Sequence, residues 1–230
     1  MDLHSWMIFL CQTISDIALW LANHEPQHSA ADSYRRIHET YSAESATLLS
    51  KLDQLHWNHE AQAYQDYYIN PVSTVKQFVQ HLGYVSLFPF MLGHVPADSP
   101  KLEAALRLLG NSSRIWSDYG ILSLARDDKL FGKGEDYWRG AIWMNMNYLI
   151  LSSLHKYGFS PKPRWQGPHR ALAADLYTRL RQNVVKNVHR EYVRTGYVWE
   201  QYGPKDGRGR RSHPFTGWTS LVLLMMAELY

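Results

Sequence analysis

The chain has a single cysteine, Cys11, so no disulfide can close within it. In the run Ile8-Phe9-Leu10-Cys11 the thiol reads as a small core residue. Charge of one sign is also scarce. Lys and Arg number 24 and Asp and Glu 21, leaving +3, too little to draw the chain to nucleic acid. The one basic loop, Lys205–Arg211, is diluted by glycines, so no nucleic-acid partner is expected. No apolar run reaches the roughly 20 residues of a membrane span. The strongest, Ala141–Leu154 and Phe215–Ala227, are interrupted by Asn145, Asn147, Thr216 and Thr219. The opening Met-Asp-Leu-His has no basic residue of the kind that starts a signal peptide. Dinucleotide, P-loop and nucleophile-elbow glycine motifs are missing, and His56, His59, His81 and His94 lack ligand spacing. Neither a metal nor a cofactor is expected.

What the chain does have is aromatics, 9 Trp and 15 Tyr, enough to suit carbohydrate platforms as well as a core. Apolar residues recur every three or four positions at Leu3, Met7, Leu10, Ile14, Ile17 and Leu21, predicting a helix over 3–23 with that stripe in the core. It should stop at Pro26. A second helix is expected over about 29–55, with Tyr34, Ile37, Tyr41, Leu48, Leu52 and Leu55 on one face. A short connection makes the two an antiparallel hairpin. Residues 57–68 break the period and read as an irregular or extended excursion. Two shorter helices follow, 83–94 and 99–110, the second capped by Ser99 with Pro100 in its first turn. Further helices are expected at 140–156 and 169–188, and a last one from Ser212-His213-Pro214 onward. The count is seven helices, mostly paired, with no βαβ rhythm. The class is all-α, and successive helical hairpins fit a toroid.

The chemistry-bearing residues fall between helices. Trp199 and Tyr202 flank Glu200, and the long non-periodic stretch 115–140 carries Asp118, Glu135, Asp136 and Arg139 beside Trp116, Tyr119, Tyr137 and Trp138. Rings that stack on pyranose faces beside an acid that handles water or a proton are what glycoside cleavage requires. Arg139 could fork onto a carboxylate or sugar hydroxyls, or orient a neighbouring acid.

Several runs are more specific. Tyr137-Trp-Arg-Gly-Ala-Ile-Trp143-Met-Asn-Met-Asn147-Tyr-Leu149, Trp199-Glu-Gln-Tyr202 and His213-Pro-Phe-Thr-Gly-Trp218-Thr-Ser resemble glycoside hydrolase family 63. Gly83-Tyr-Val-Ser-Leu-Phe-Pro89 and Asp118-Tyr-Gly-Ile-Leu-Ser-Leu124 extend the likeness over nearly the whole chain. The resemblance implies an (α/α)6 barrel, of which 1–230 would be the C-terminal portion of a single catalytic domain with roughly seven of its twelve helices. It implies an inverting α-glucosidase that removes the terminal α-1,2-linked glucose of the N-glycan precursor, making an N-linked oligosaccharide the expected partner. Glu200 matches the family's general base, which activates water on the far face of the sugar. Asp2, Trp138, Arg139, Trp143, Trp199 and Tyr202 would bind substrate. The family's general acid lies in an Asp-Tyr-Pro-Arg type motif that this sequence lacks. The chain is therefore expected to be truncated, without the family's β-domain and membrane anchor, and inactive alone. The sequon Asn111-Ser-Ser113 fits glycosylation in the endoplasmic reticulum lumen. The alternatives are a non-catalytic carbohydrate-binding or assembly fragment and, less well matched, a trehalase-type toroidal glycosidase.

Overall fold

A computed structural model of the chain describes residues 1–24 and 30–230. The expected break at Pro26 and the helix start near Ser29 lie outside the described residues. The chain divides into two compact units, Met1–Val79 and Gln80–Tyr230.

The first unit contains α1 (Asp2–His24) and α2 (Ala31–His56), followed by two hairpins. These are β1 (Trp57–Asn58) with β2 (Ala63–Tyr64), and β3 (Tyr67–Ile69) with β4 (Lys76–Phe78). The hairpins are the extended excursion expected after the second helix. Of the expected α2 stripe Leu52 is buried and Tyr34, Tyr41, Leu48 and Leu55 are half-buried, but Ile37 is exposed, and the small Ser45 is buried among them. For α1 the structure corrects the expected stripe. Leu3 is 71% exposed and Ile17 55%, with Met7 and Leu10 also exposed, whereas Ser5, Ile8, Cys11, Ser15, Ala18 and Ala22 are buried. Small side chains let α1 approach α2 closely, so a second three-and-four pattern that an apolar count passes over sets the inner face. Polar contacts fix the approach: Ser15 Oγ lies 2.8 Å from His38 Nδ1, and His4 Nε2 is 2.9 Å from the Leu48 carbonyl. Cys11 is buried in this seam, which pushes its thiol pKa up, with Glu44 adding to the effect. By length and composition α1 is apolar enough to cross a membrane, although polar residues scattered through it leave no continuous apolar run.

The second unit holds α3 (Tyr84–Met91), α4 (Pro100–Leu109), β5 (Trp116–Ser117), β6 (Gly120–Ile121), α5 (Met144–Phe159), α6 (Arg170–Thr195), β7 (Gln201–Tyr202), β8 (Gly209–Arg210) and α7 (Val222–Ala227). Ser99 caps α4 as expected, its Oγ accepting the Lys101 N–H at 3.2 Å, with Pro100 in the first turn. The core centres on α5 and α6: Ile150, Leu151, Leu154 and Tyr157 against Leu176, Leu180 and Val184 are all buried. Gly158, in the last turn of α5, allows this packing, because a Cβ there would sit 3.0 Å from the Ala174 backbone.

Two boundaries differ from expectation in ways that build the site. Helix α5 begins at Met144, not near 140, because the preceding residues are extended: Ile142 and Tyr202 exchange backbone hydrogen bonds of 2.9 Å in both directions. The last helix begins at Val222 rather than near 212. The backbone of 212–215 is instead committed to the Glu200 segment, with Glu200 N–H donating to the Ser212 carbonyl (3.0 Å) and Phe215 N–H to that of Val198 (2.9 Å). A 3-10 turn, Trp218–Leu221, then leads into α7.

Candidate active site around Glu200

Three stretches converge on Glu200: 137–143 before α5, 199–202 entering β7, and 210–218 after β8. Residues 137–143 are anchored on one side by Ser123, whose N–H donates to the Ala141 carbonyl (3.1 Å) and whose Oγ accepts the Gly140 N–H (2.9 Å). On the other side they are anchored by the Ile142–Tyr202 bridge. The hairpin β7–β8 carries the second stretch, and Gly209 gives it close packing, since a Cβ there would fall 2.1 Å from Trp199 Cγ.

Glu200 is 7% exposed. Its Oε1 accepts the Tyr137 phenol, its Oε2 accepts the Ser212 N–H at 3.1 Å, and its carbonyl accepts Trp218 Nε1 at 2.7 Å. The Tyr137 hydrogen bond holds the carboxyl below the ordinary carboxylate range. Burial works against it, while the Ser212 hydroxyl and N–H and the nearby Arg211 charge reinforce it. Glu200 is therefore an ionised acceptor in a mostly closed site, the state a group must have to take a proton from water.

Aromatics crowd one side. Trp138 stacks on Trp143 at 3.9 Å and 11°, Tyr137 stands edge-on to Trp143 at 4.7 Å, and Trp218 tilts against it at 5.5 Å. A second group is formed by Trp199, His213 at 3.9 Å and Tyr197 at 5.3 Å from His213.

The expected site residues separate under this geometry. Glu200, Trp138, Trp143, Trp199 and Tyr202 all lie in or beside the convergence. Trp138 is 51% exposed and Trp199 half-buried, but Trp143 and Tyr202 are buried. As placed, those two support the site from behind and present no face to a sugar. Burial pushes the Tyr202 phenol up to about 12. Arg139 donates to the Lys133 carbonyl at 2.7 Å, closing its own loop. Asp2 belongs to the first unit, exposed in the first turn of α1, its Oδ1 accepting the Leu3 N–H. Asp118 is exposed in the β5–β6 turn, and Glu135 and Asp136 face Arg211. Asn111 Oδ1 accepts both the N–H and the hydroxyl of Ser113, so the sequon forms a tight turn after α4. Among the described residues no group of three or more His, Cys, Asp or Glu could hold a metal ion.

Sequence reasoning did not single out Tyr137, Arg211, Ser212 or Trp218 as partners of Glu200. They stand within the motif runs, but a hydrogen bond spanning 63 residues leaves no local signal.

The sequence matches the family described as Glycosyl hydrolase family 63 C-terminal domain over residues 1–228. It is 43% identical over 233 residues to a Schizosaccharomyces pombe protein named "Probable mannosyl-oligosaccharide glucosidase", covering 100% of this chain and 26% of that protein. It is 40% identical over 191 residues to mannosyl-oligosaccharide glucosidase of Saccharomyces cerevisiae, covering 83% of this chain and 23% of that one. The chain thus spans about a quarter of the length of these relatives. Among solved structures, neutral trehalase from Saccharomyces cerevisiae aligns with a TM-score of 0.69 at 13% identity, over 100% of this chain and 38% of that one. That likeness shows the fold class: all-α, with helical hairpins of the type that build toroidal glycosidases. The chain belongs to glycosyl hydrolase family 63, within the family's C-terminal domain.

Proposed function

We propose that this chain carries the water-activating half of an inverting α-glucosidase site, with Glu200 as general base and the terminal α-1,2-linked glucose of an N-glycan precursor as substrate. The observation that carries the reading is Glu200 itself: a buried carboxylate, held ionised by Tyr137 and Ser212 beside a half-exposed Trp138. In an inverting reaction the base takes a proton from water as that water attacks the anomeric carbon, while a separate acid protonates the departing oxygen. Trp138 and Trp199 are the rings open enough to stack on sugar. The names of the relatives support the glycan class, and the sequon at Asn111 supports a lumenal location in the endoplasmic reticulum.

Glucose release from a triglucosylated oligosaccharide, with the first-formed anomer read by NMR, tests this reading. β-Glucose appearing first, and a loss of about 10²–10⁴-fold in Glu200→Gln, are expected. α-Glucose, or turnover indifferent to Glu200, would overturn it. A second reading is glycan binding without turnover by this chain, for which the open rings of Trp138 and Trp199 would suffice. Its signature is Trp fluorescence quenching by the glycan that survives Glu200→Gln with no hydrolysis.

A further inference from the structure

We propose that Tyr137 is a positioning residue that fixes the orientation of the Glu200 carboxylate. Tyr137 donates its phenol to Oε1 while the Ser212 N–H donates to Oε2, so each oxygen of the carboxylate is held by a donor from a different loop. About four lone-pair sites are available on a carboxylate, so the Tyr137 and Ser212 donors leave room for a water molecule. The phenol is held in place by its surroundings. Its ring is edge-on to Trp143 at 4.7 Å and to Trp138 at 6.0 Å, and the Arg211 guanidinium lies 5.4 Å over it. Arg211 is in turn paired with Asp136 and lies 3.8 Å from Glu135, whose Oε1 accepts the Tyr137 N–H at 3.1 Å. The loop that presents Tyr137 is closed by the Gly132 N–H on the Arg139 carbonyl (2.8 Å). Phe131 packs so tightly on Gly140 that a Cβ would meet the ring at 2.5 Å.

The charged and titratable groups bearing on Glu200 are therefore Tyr137 from one loop and Arg211 from the other, and the Trp218 turn contributes only a neutral N–H. The coupling runs both ways, since Glu200 pushes the Tyr137 phenol above its ordinary value chiefly through the shared hydrogen bond. A tyrosine serving only as packing would leave both titrations unmoved. The inference rests on the reading of Glu200 as base for its catalytic consequence, but the coupling is measurable without turnover.

The test is a pair of titrations on the chain as it stands. Carbon-13 carboxyl NMR follows Glu200 in the native chain and in Tyr137→Phe, where its midpoint should rise toward the ordinary value of about 4.3. Phenol NMR follows Tyr137 in the native chain and in the near-isosteric Glu200→Gln, where its midpoint should fall toward about 10. Both shifts report on the same hydrogen bond, so both must appear. If Tyr137→Phe does not fold, the Glu200→Gln titration decides alone. A Glu200 midpoint unmoved by Tyr137→Phe, or a Tyr137 midpoint unmoved by Glu200→Gln, overturns the proposal. Both shifts in a chain that gives α-glucose or no glucose would leave the coupling standing and overturn only its catalytic meaning.

Discussion

Two buried carboxylates flank the β7–β8 hairpin, and their partners give them different work. Glu191, 1% exposed on α6, takes Arg194 Nη2 at 2.6 Å and the Gly209 N–H at 3.0 Å, which pins the hairpin to the helix. Arg194 holds its carboxyl below the ordinary range despite burial, with the Gly209 N–H and Arg190 reinforcing it. Glu200 has a phenol and an amide in place of a contacting guanidinium, so it stays ionised yet free to accept a proton. Glu191→Gln should cost about 1–3 kcal/mol by weakening charge-assisted bonds in a buried setting, measured by urea unfolding. Because both folded pKa values are depressed, their stabilisation is full above the unfolded carboxylate value of about 4.3 and is lost as pH falls through the folded values. The contribution of these two carboxylates to the thermal midpoint should then be flat near neutrality and fall in acid, so the acid limb should be less steep in Glu191→Gln. Gly209→Ala, by driving a methyl into the Trp199 ring, should cost about 1–3 kcal/mol and change the near-ultraviolet circular dichroism.

At the scale of elements, the site depends on how α5 begins. Asn147, fully buried one turn into that helix, donates to the Trp143 carbonyl (2.8 Å) and the Tyr84 phenol (3.1 Å) and accepts the Ile121 N–H (2.8 Å). One side chain thus ties the helix start, α3 and the β5–β6 hairpin together. Asn147→Leu leaves those partners short of bonds and should cost about 1–3 kcal/mol per stranded group, lowering the thermal midpoint by several degrees. Helix α6 runs past the expected end at 188, to Thr195. Leu176, Leu180 and Val184 continue inward as Asn187, Val188 and Glu191, so the periodic face turns polar while remaining buried, up to the left-handed cap at Gly196. An apolar count stops where the burial does not.

At the scale of the molecule, the outward face of α1 is the outstanding surface. Leu3, Trp6, Met7, Phe9, Leu10, Ile17, Leu19 and Trp20 are all exposed. Contiguous apolar surface of this kind drives association. Sedimentation of the chain should show average mass rising with concentration, and Leu10→Lys with Ile17→Lys should suppress the rise. A native chain monomeric at all concentrations would contradict this.

The sequence by itself determined the helical class, the pairing of helices, the Ser99-Pro100 cap and the placing of an acid between two aromatics, because periodicity, capping and motif chemistry act over a few residues. Only the tertiary structure decided which face of α1 turns inward, since small and large stripes share the same spacing and close approach to α2 selects the small one. It also decided that Trp143 and Tyr202 stand behind the site while Trp138 remains open. The partners of Glu200 came from tertiary structure as well. Tyr137 reaches it across 63 residues, through a loop closure and a backbone bridge that no local pattern encodes.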